Sequence, residues 1–132
     1  MTLHLLDTTA IIDLSKGVQP TTDFLKGLLA SSEDVGICPI SIAEFYAGLT
    51  ADQHARWDAF LGTLTFCPIS FDASLQAGKW RGSFRSRGIQ LTTTDTLVAA
   101  VADELGAIVM TSNTKHFPMP VRLLDPRARQ PT

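Results

Sequence analysis

Asp7, Glu44 and Asp95 are three carboxylates far apart in the chain, and each stands where a stretch of strand character gives way to a helix. Leu3-His4-Leu5-Leu6 runs into Asp7, residues 35–41 lead into the helix carrying Glu44, and Leu91-Thr92-Thr93-Thr94 precedes Asp95. Alternating strand and helix patterns predict parallel strands in one sheet, whose C-terminal ends share an edge, so the three acids meet in one crevice. Like charges a few Å apart cannot all stay ionised in a poorly solvated site. A divalent cation resolves the conflict. Mg²⁺ or Mn²⁺ is the expected ion, because hard cations take oxygen ligands and leave coordination positions open for a substrate phosphate. Zinc is disfavoured: there is no histidine-cysteine cluster, and His4, His54 and His116 are scattered without metal-site spacing. Neither cysteine has an identifiable base and no serine sits in a nucleophile-elbow pattern, which leaves water as the attacker. A metal that polarises a phosphate, activates water and stabilises the leaving oxygen performs phosphodiester hydrolysis.

Helix starts attract acids for a plainer reason, since backbone N–H groups there favour anionic side chains. Asp72 reads as such a cap and nothing more, and for Asp95 capping and function both stay open. Glu44 lies in the mostly apolar run Ile42-Ala43-Glu44-Phe45-Tyr46-Ala47, where a charge needs solvent or a counter-ion. The combination of the three, rather than any one, carries the functional reading. The main basic concentration is residues 79–87. Trp80 and Phe84 at i, i+4 are expected to pack inward, leaving Arg81 and Arg85, with Lys79, to face outward as either a solvated helix face or a contact for a backbone polyanion.

With 132 residues the chain is expected to form a single domain over 1–132 with one good core. Hydrophobic content of 45% against 18% charged describes a folded globular protein. A net charge of −2 gives no global signature of nucleic-acid binding, so a polyanionic partner must be held by a local patch or through metal. Cys38 and Cys67 read as reduced core residues of a cytoplasmic protein, and no apolar run approaches the ~20 residues of a membrane span. Periodicity predicts helices over 8–14, 21–32, 41–49, from 52, from 72 to Gly88 and over 95–105, with strands at 65–70, 107–111 and 121–124. Gly106 supplies the last helix cap.

Four segments, Leu5-Leu6-Asp7-Thr8-Thr9-Ala10-Ile11-Ile12, Ser41-Ile42-Ala43-Glu44-Phe45-Tyr46-Ala47-Gly48-Leu49, Thr94-Asp95-Thr96-Leu97-Val98-Ala99-Ala100 and Val109-Met110-Thr111-Ser112-Asn113-Thr114-Lys115-His116-Phe117, together resemble the PIN-domain family, in particular its VapC-like toxins. The resemblance runs in order over nearly the whole chain. It implies a single α/β PIN-like domain with a central, mostly parallel sheet flanked by helices. It further implies a Mg²⁺- or Mn²⁺-dependent ribonuclease, often homodimeric, acting on RNA and inhibited by a small cognate antitoxin protein. Asp7, Glu44 and Asp95 match the family's acidic triad. Many relatives carry a fourth acid where this chain has Asn113 or, three residues on, His116. Asn113 retains an amide able to hold a metal-bound water. The missing charge weakens a second metal site more than the first, and both one-metal and two-metal turnover stay open. Three other readings compete: a catalytically silent PIN-like binding module, a receiver-type phosphoacceptor and a dehalogenase-like phosphatase. The last two need a second acid close to Asp7, where Thr8 and Thr9 stand.

Overall fold

Successive side chains of a strand point to opposite faces of its sheet, so a strand apolar at every position is covered on both sides. Leu5 and Val109 belong to one buried cluster and their neighbours Leu6 and Met110 to another, and none of the four exposes more than 1% of its surface. The computed structural model, which describes residues 2–128, builds this two-faced arrangement around five strands. They are β1 (Leu3–Leu6), β2 (Asp34–Ile37), β3 (Thr65–Phe66), β4 (Ile108–Met110) and β5 (Arg122–Leu124). All pair in parallel, in the order β3-β2-β1-β4-β5. The sheet expected to be mostly parallel is parallel throughout.

Helices α1 (Thr8–Ser15), α2 (Thr21–Leu29), α3 (Pro39–Ala47) and α4 (Ala51–Leu61) carry the chain from β1 to β2 and on to β3. Their Ile11, Leu25, Phe45 and Trp57 fill the cluster that contains Leu6 and Met110. Helices α5 (Phe71–Ser86) and α6 (Thr93–Leu105) return the chain to β4 over the opposite face, where Ala77, Phe84 and residues 98–102 pack with Leu5 and Val109. Strands are thus added outward on one side of β1 and then, after α5 and α6, on the other. The point of reversal lies between β1 and β4, and a doubly wound sheet opens its crevice at the carboxyl ends of the strands there.

Local chemistry explains most boundaries. Gly106 closes α6 with φ +66°, a left-handed conformation that only glycine adopts freely. Gly36 is required for another reason: a Cβ there would lie 2.7 Å from the Cys67 sulfur, so β2 and β3 meet closely across it. Both cysteines are buried free thiols. At the far end of the chain Arg127 grips Asp13 in a bidentate pair, Nε at 2.7 Å and Nη2 at 2.6 Å, while Thr21 donates to the same carboxylate at 3.1 Å. These partners satisfy a buried acid and tie the segment after β5 to α1.

Several expectations are corrected. Residues 91–94 form no strand; α6 begins at Thr93, because the Thr92 hydroxyl accepts the Asp95 N–H at 3.0 Å and starts the helix early. Helix α3 begins at Pro39 rather than 41, proline being well suited to a first helical turn, which leaves Glu44 in its middle. Ser70, not Asp72, caps α5, accepting the Ala73 N–H at 3.0 Å. The strand expected over 65–70 is only Thr65–Phe66. Leu75 and Leu105 are 48% and 47% exposed, while the small residues Ala73, Ala77 and Ala99 of α5 and α6 are buried in the cluster against the sheet. No helix among the described residues is long and apolar enough to cross a membrane.

Candidate active site

Asp7 directly follows β1 at the point of reversal, and its backbone N–H continues the ladder by donating to the Met110 carbonyl at 3.0 Å. It occupies the N-cap position of α1, yet its side chain makes no cap hydrogen bond. The carboxylate instead turns toward β4, where Oδ2 accepts the Thr111 hydroxyl at 2.9 Å and the Thr9 hydroxyl at 3.3 Å. Thr111 is completely buried and Asp7 is 3% exposed. A helix cap explains none of this.

Glu44 projects from α3 into the same space. Its Oε1 accepts the Thr8 hydroxyl at 2.6 Å and its Oε2 the Thr94 hydroxyl at 3.2 Å. One hydroxyl comes from α1 and the other from α6, so the carboxylate bridges two helices on opposite faces of the sheet. Asp95 enters from the first turn of α6, with Thr92 rather than Asp95 making the side-chain cap. Asp95 Oδ2 lies 3.6 Å from His116 Nδ1, on the 3₁₀ turn Thr114–His116 that follows β4. Asn113, just before that turn, is fixed by its backbone N–H donating to Thr111 Oγ1 at 3.0 Å.

A cavity of about 410 Å³ is lined by Asp7, Glu44, Asp95 and Asn113, with Thr8, Thr9, Thr92 and Thr94 between them. The four residues expected at the site from sequence therefore share one space. Arg81 and Arg85 do not line it. Arg81 donates from Nε to the Leu91 carbonyl at 3.2 Å, bracing the loop ahead of α6, and Arg85 is exposed one turn along α5.

Burial is the main force on the acids. Desolvation raises the Asp7 carboxyl above its ordinary value, outweighing hydrogen bonds to Thr111, Thr8 and Thr9, and the Glu44 charge pushes it further up. Desolvation likewise raises Asp95, with the charges of Asp7 and Glu44 adding to the rise while Thr92 and His116 oppose it. The acids thus feel one another across the cavity. Burial also raises the Cys38 and Cys67 thiols, which disqualifies both as nucleophiles near neutral pH. Among the described residues, no three His, Cys, Asp or Glu side chains are grouped so that they could hold a metal ion as they stand. What fits a hard cation is the donor chemistry: Asp7, Glu44 and Asp95 present carboxylate oxygens to one cavity.

A sequence model of the PIN domain matches residues 4–119. The chain belongs to the PIN domain family. Among its relatives is Ribonuclease VapC19 of Mycobacterium tuberculosis, 26% identical over 117 residues that cover 89% of this chain and 94% of that protein. The fold of this PIN domain superposes on VapBC2 from Rickettsia felis bound to a promoter DNA fragment, with TM-score 0.80, 22% identity, and coverage of 93% of this chain and 98% of that one. A toxin-antitoxin complex from Klebsiella pneumoniae gives TM-score 0.78 at 25% identity, covering 93% and 97%. M. tuberculosis VapC20, a sarcin-ricin loop cleaving toxin, gives 0.61 at 18% identity, covering 80% and 86%. The phosphoacceptor and dehalogenase-like readings lose their footing at the same place: Thr8 and Thr9, standing where they need a second acid, instead hold Glu44 and Asp7 in position.

Sequence reasoning placed the acids but overlooked what holds them. Thr8, Thr9, Thr94 and Thr111 all hydrogen-bond an acid of the cavity. Their signal was present as threonines crowding Asp7 and Asp95. His116 has no metal-site spacing in the sequence, yet its 21-residue separation from Asp95 is closed by α6 and β4 turning back to the same edge.

Proposed function

We propose that this PIN domain is a divalent-metal-dependent endoribonuclease and the toxin of a toxin-antitoxin pair, hydrolysing RNA phosphodiester bonds with water as nucleophile and restrained by a small cognate antitoxin. The observation that carries the reading is the convergence of Asp7, Glu44 and Asp95 on one open cavity at the switch point of the sheet. We assign Asp7 and Asp95 as principal ligands of Mg²⁺ or Mn²⁺, with Glu44 sharing the ion directly or through water. When bound, the ion would neutralise the acid cluster, polarise the scissile phosphate and lower the pKa of the attacking water.

The chain's own groups supply position and proton handling. Thr111 and Thr9 both bond Asp7 Oδ2, which sets the rotation of that carboxylate. Thr8 and Thr94 take one lone pair from each oxygen of Glu44, leaving further acceptor capacity to orient a water and receive its proton. Asn113, uncharged at the mouth of the cavity, is assigned to hold a water by its amide. The test is cleavage of total cellular RNA by the purified protein. Fragments should accumulate with Mg²⁺ or Mn²⁺ and cease with EDTA, returning when the metal is restored. RNA left intact under all metals would reject the nuclease in favour of a silent binding module.

Arg81 and Arg85 are assigned to the flank of the RNA path, outside the acid cavity. If both contact phosphates, the Arg81→Ala, Arg85→Ala double variant should bind RNA more weakly and lower the slope of log affinity against log salt by about 1.4, since single strands release about 0.7 counterion per phosphate contact. Binding across a salt series in EDTA checks this, and a parental slope would leave Arg81 as the brace of the Leu91 carbonyl and Arg85 on a solvated helix face.

A further inference from the structure

The space around the acids does not end at Asp95. Thr92 and Asp95 also line a second hollow of about 130 Å³, on the side away from Asp7 and Glu44. One wall is the α5–α6 loop, contributing Ile89, Gln90 and Leu91, and the other is the 3₁₀ turn, contributing Lys115 and His116. Its chemistry differs from that of its neighbour. Among the described residues Asp95 is the only carboxylate on its lining, and that carboxylate faces the His116 imidazole at 3.6 Å. The remaining groups are a threonine hydroxyl, an amide, a lysine, an imidazole ring and two aliphatic side chains.

The wall is held in place from behind. Leu91 is 7% exposed and its carbonyl accepts Arg81 Nε, so the loop is anchored to α5 at that point. Ile89, two residues earlier, stays 40% exposed. An exposed aliphatic edge, a ring able to stack, an amide with paired donor and acceptor, and a cation are the components by which proteins hold an unstacked base and its phosphate.

We propose that this hollow is a subsite for one nucleotide adjoining the cleaved bond: its base lies on the His116 ring against Ile89, the Gln90 amide meets the base edge, and Lys115 holds the neighbouring phosphate. The assignment rests on the ribonuclease reading above and gives it a source of sequence preference. A phosphate among the acids presents no base identity, so selection must come from groups beside them. The hollow adjoins the acid cavity, Thr92 and Asp95 lining both, so a strand with its scissile phosphate near Asp95 has the hollow beside it.

The test uses a short, randomised, single-stranded RNA pool, cut with Mn²⁺ and sequenced at the new ends. The wild type should favour particular bases at one position next to the cut. Gln90→Ala and His116→Ala should each flatten that preference, His116→Ala by about tenfold, the scale of one lost base stack, and leave the other positions alone. His116→Phe should retain it, because the ring is kept. Lys115→Ala should weaken binding of all sequences alike, with a salt slope smaller by about 0.7. Gln90, Lys115 and His116 are exposed, so the variants are expected to keep the parental fold, which their melting temperatures will show. A wild type without positional preference, or alanine variants that cut with the wild-type preference, would overturn the subsite while leaving the nuclease intact. A wild type that cuts no RNA with metal would overturn the parent reading, and the subsite with it.

Discussion

Asp7→Asn is expected to reduce RNA cleavage by roughly 10³-fold, the upper range for losing one electrostatic group that acts on the transition state, and yet to melt at a higher temperature than the parent at neutral pH in EDTA. Both effects follow from one environment. Desolvation lifts the folded-state pKa of Asp7 above its ordinary value of 3.8 despite hydrogen bonds from Thr111, Thr8 and Thr9. The folded protein therefore binds that proton more readily than the unfolded chain. Stability declines as pH rises from the ordinary value through the raised one, and the ionised carboxylate is a liability above it. Asparagine has no charge to desolvate, and its amide oxygen still accepts the Thr111 hydroxyl. The stability gap should be widest near pH 7 and narrow toward about pH 4. Adding Mn²⁺ should reverse the order: a ligand at a hundred times its Kd stabilises the protein that binds it by about 2.7 kcal/mol, an increment the variant lacks. Thermal melts of both proteins across pH, with and without Mn²⁺, measure all of this. A variant no more stable than the parent at pH 7 in EDTA would show that Asp7 is not under the strain assigned to it, and equal Mn²⁺ stabilisation in both would remove it from the ligand set.

What could be read from the sequence followed from how local the physics was. Leu3-His4-Leu5-Leu6 ending in an acid, and Gly106 closing an alanine-rich helix, each carry their meaning within a few residues. The order of the strands was less direct, yet strands alternating with helices were enough to put Asp7 and Glu44 at one edge. Asp95 was placed correctly for a partly mistaken reason. It was expected where a strand gives way to a helix; the helix start is there, but no strand precedes it. That start still falls at the cavity because a helix preceding a parallel strand starts at the edge where the strands end. The threonine hydroxyls and the Asp95–His116 contact were not read, because each depends on which side chains face each other across separations of up to 104 residues. Arg81 shows a further limit: a basic residue on a predicted surface turned out to hold a backbone carbonyl, a use that no charge pattern displays.

Glu44→Gln is expected to fold as the parent does and to lose about 10²- to 10³-fold in cleavage, the range for removing a positioned general base. Glutamine has nearly the same shape. Its carbonyl oxygen can still accept the Thr8 hydroxyl, now bonded to Oε1 at 2.6 Å, and its amide can donate to the Thr94 hydroxyl, now bonded to Oε2 at 3.2 Å. The bridge between α1 and α6 therefore survives while the charge and the proton-accepting oxygen do not. A second consequence separates this role from a passive one. Desolvation is the main force raising Asp7 and Asp95 and remains in the variant, but the Glu44 charge adds to it, so its removal should lower both carboxyls slightly. The residual activity should then persist to lower pH than that of the parent, with the acidic limb of its pH–rate profile displaced downward. Thr94→Val gives the intermediate case, keeping the charge and removing one of the two hydroxyls that orient it. A loss of about 10- to 100-fold is expected there, the scale of an outer-sphere partner, with the acidic limb where the parent has it. Single-turnover cleavage of one RNA substrate across pH, for the parent and both variants, supplies the comparison. If Glu44→Gln cuts at the parental rate with an unshifted profile, Glu44 is an acid facing solvent beside the site, and the proton must leave the water by another route.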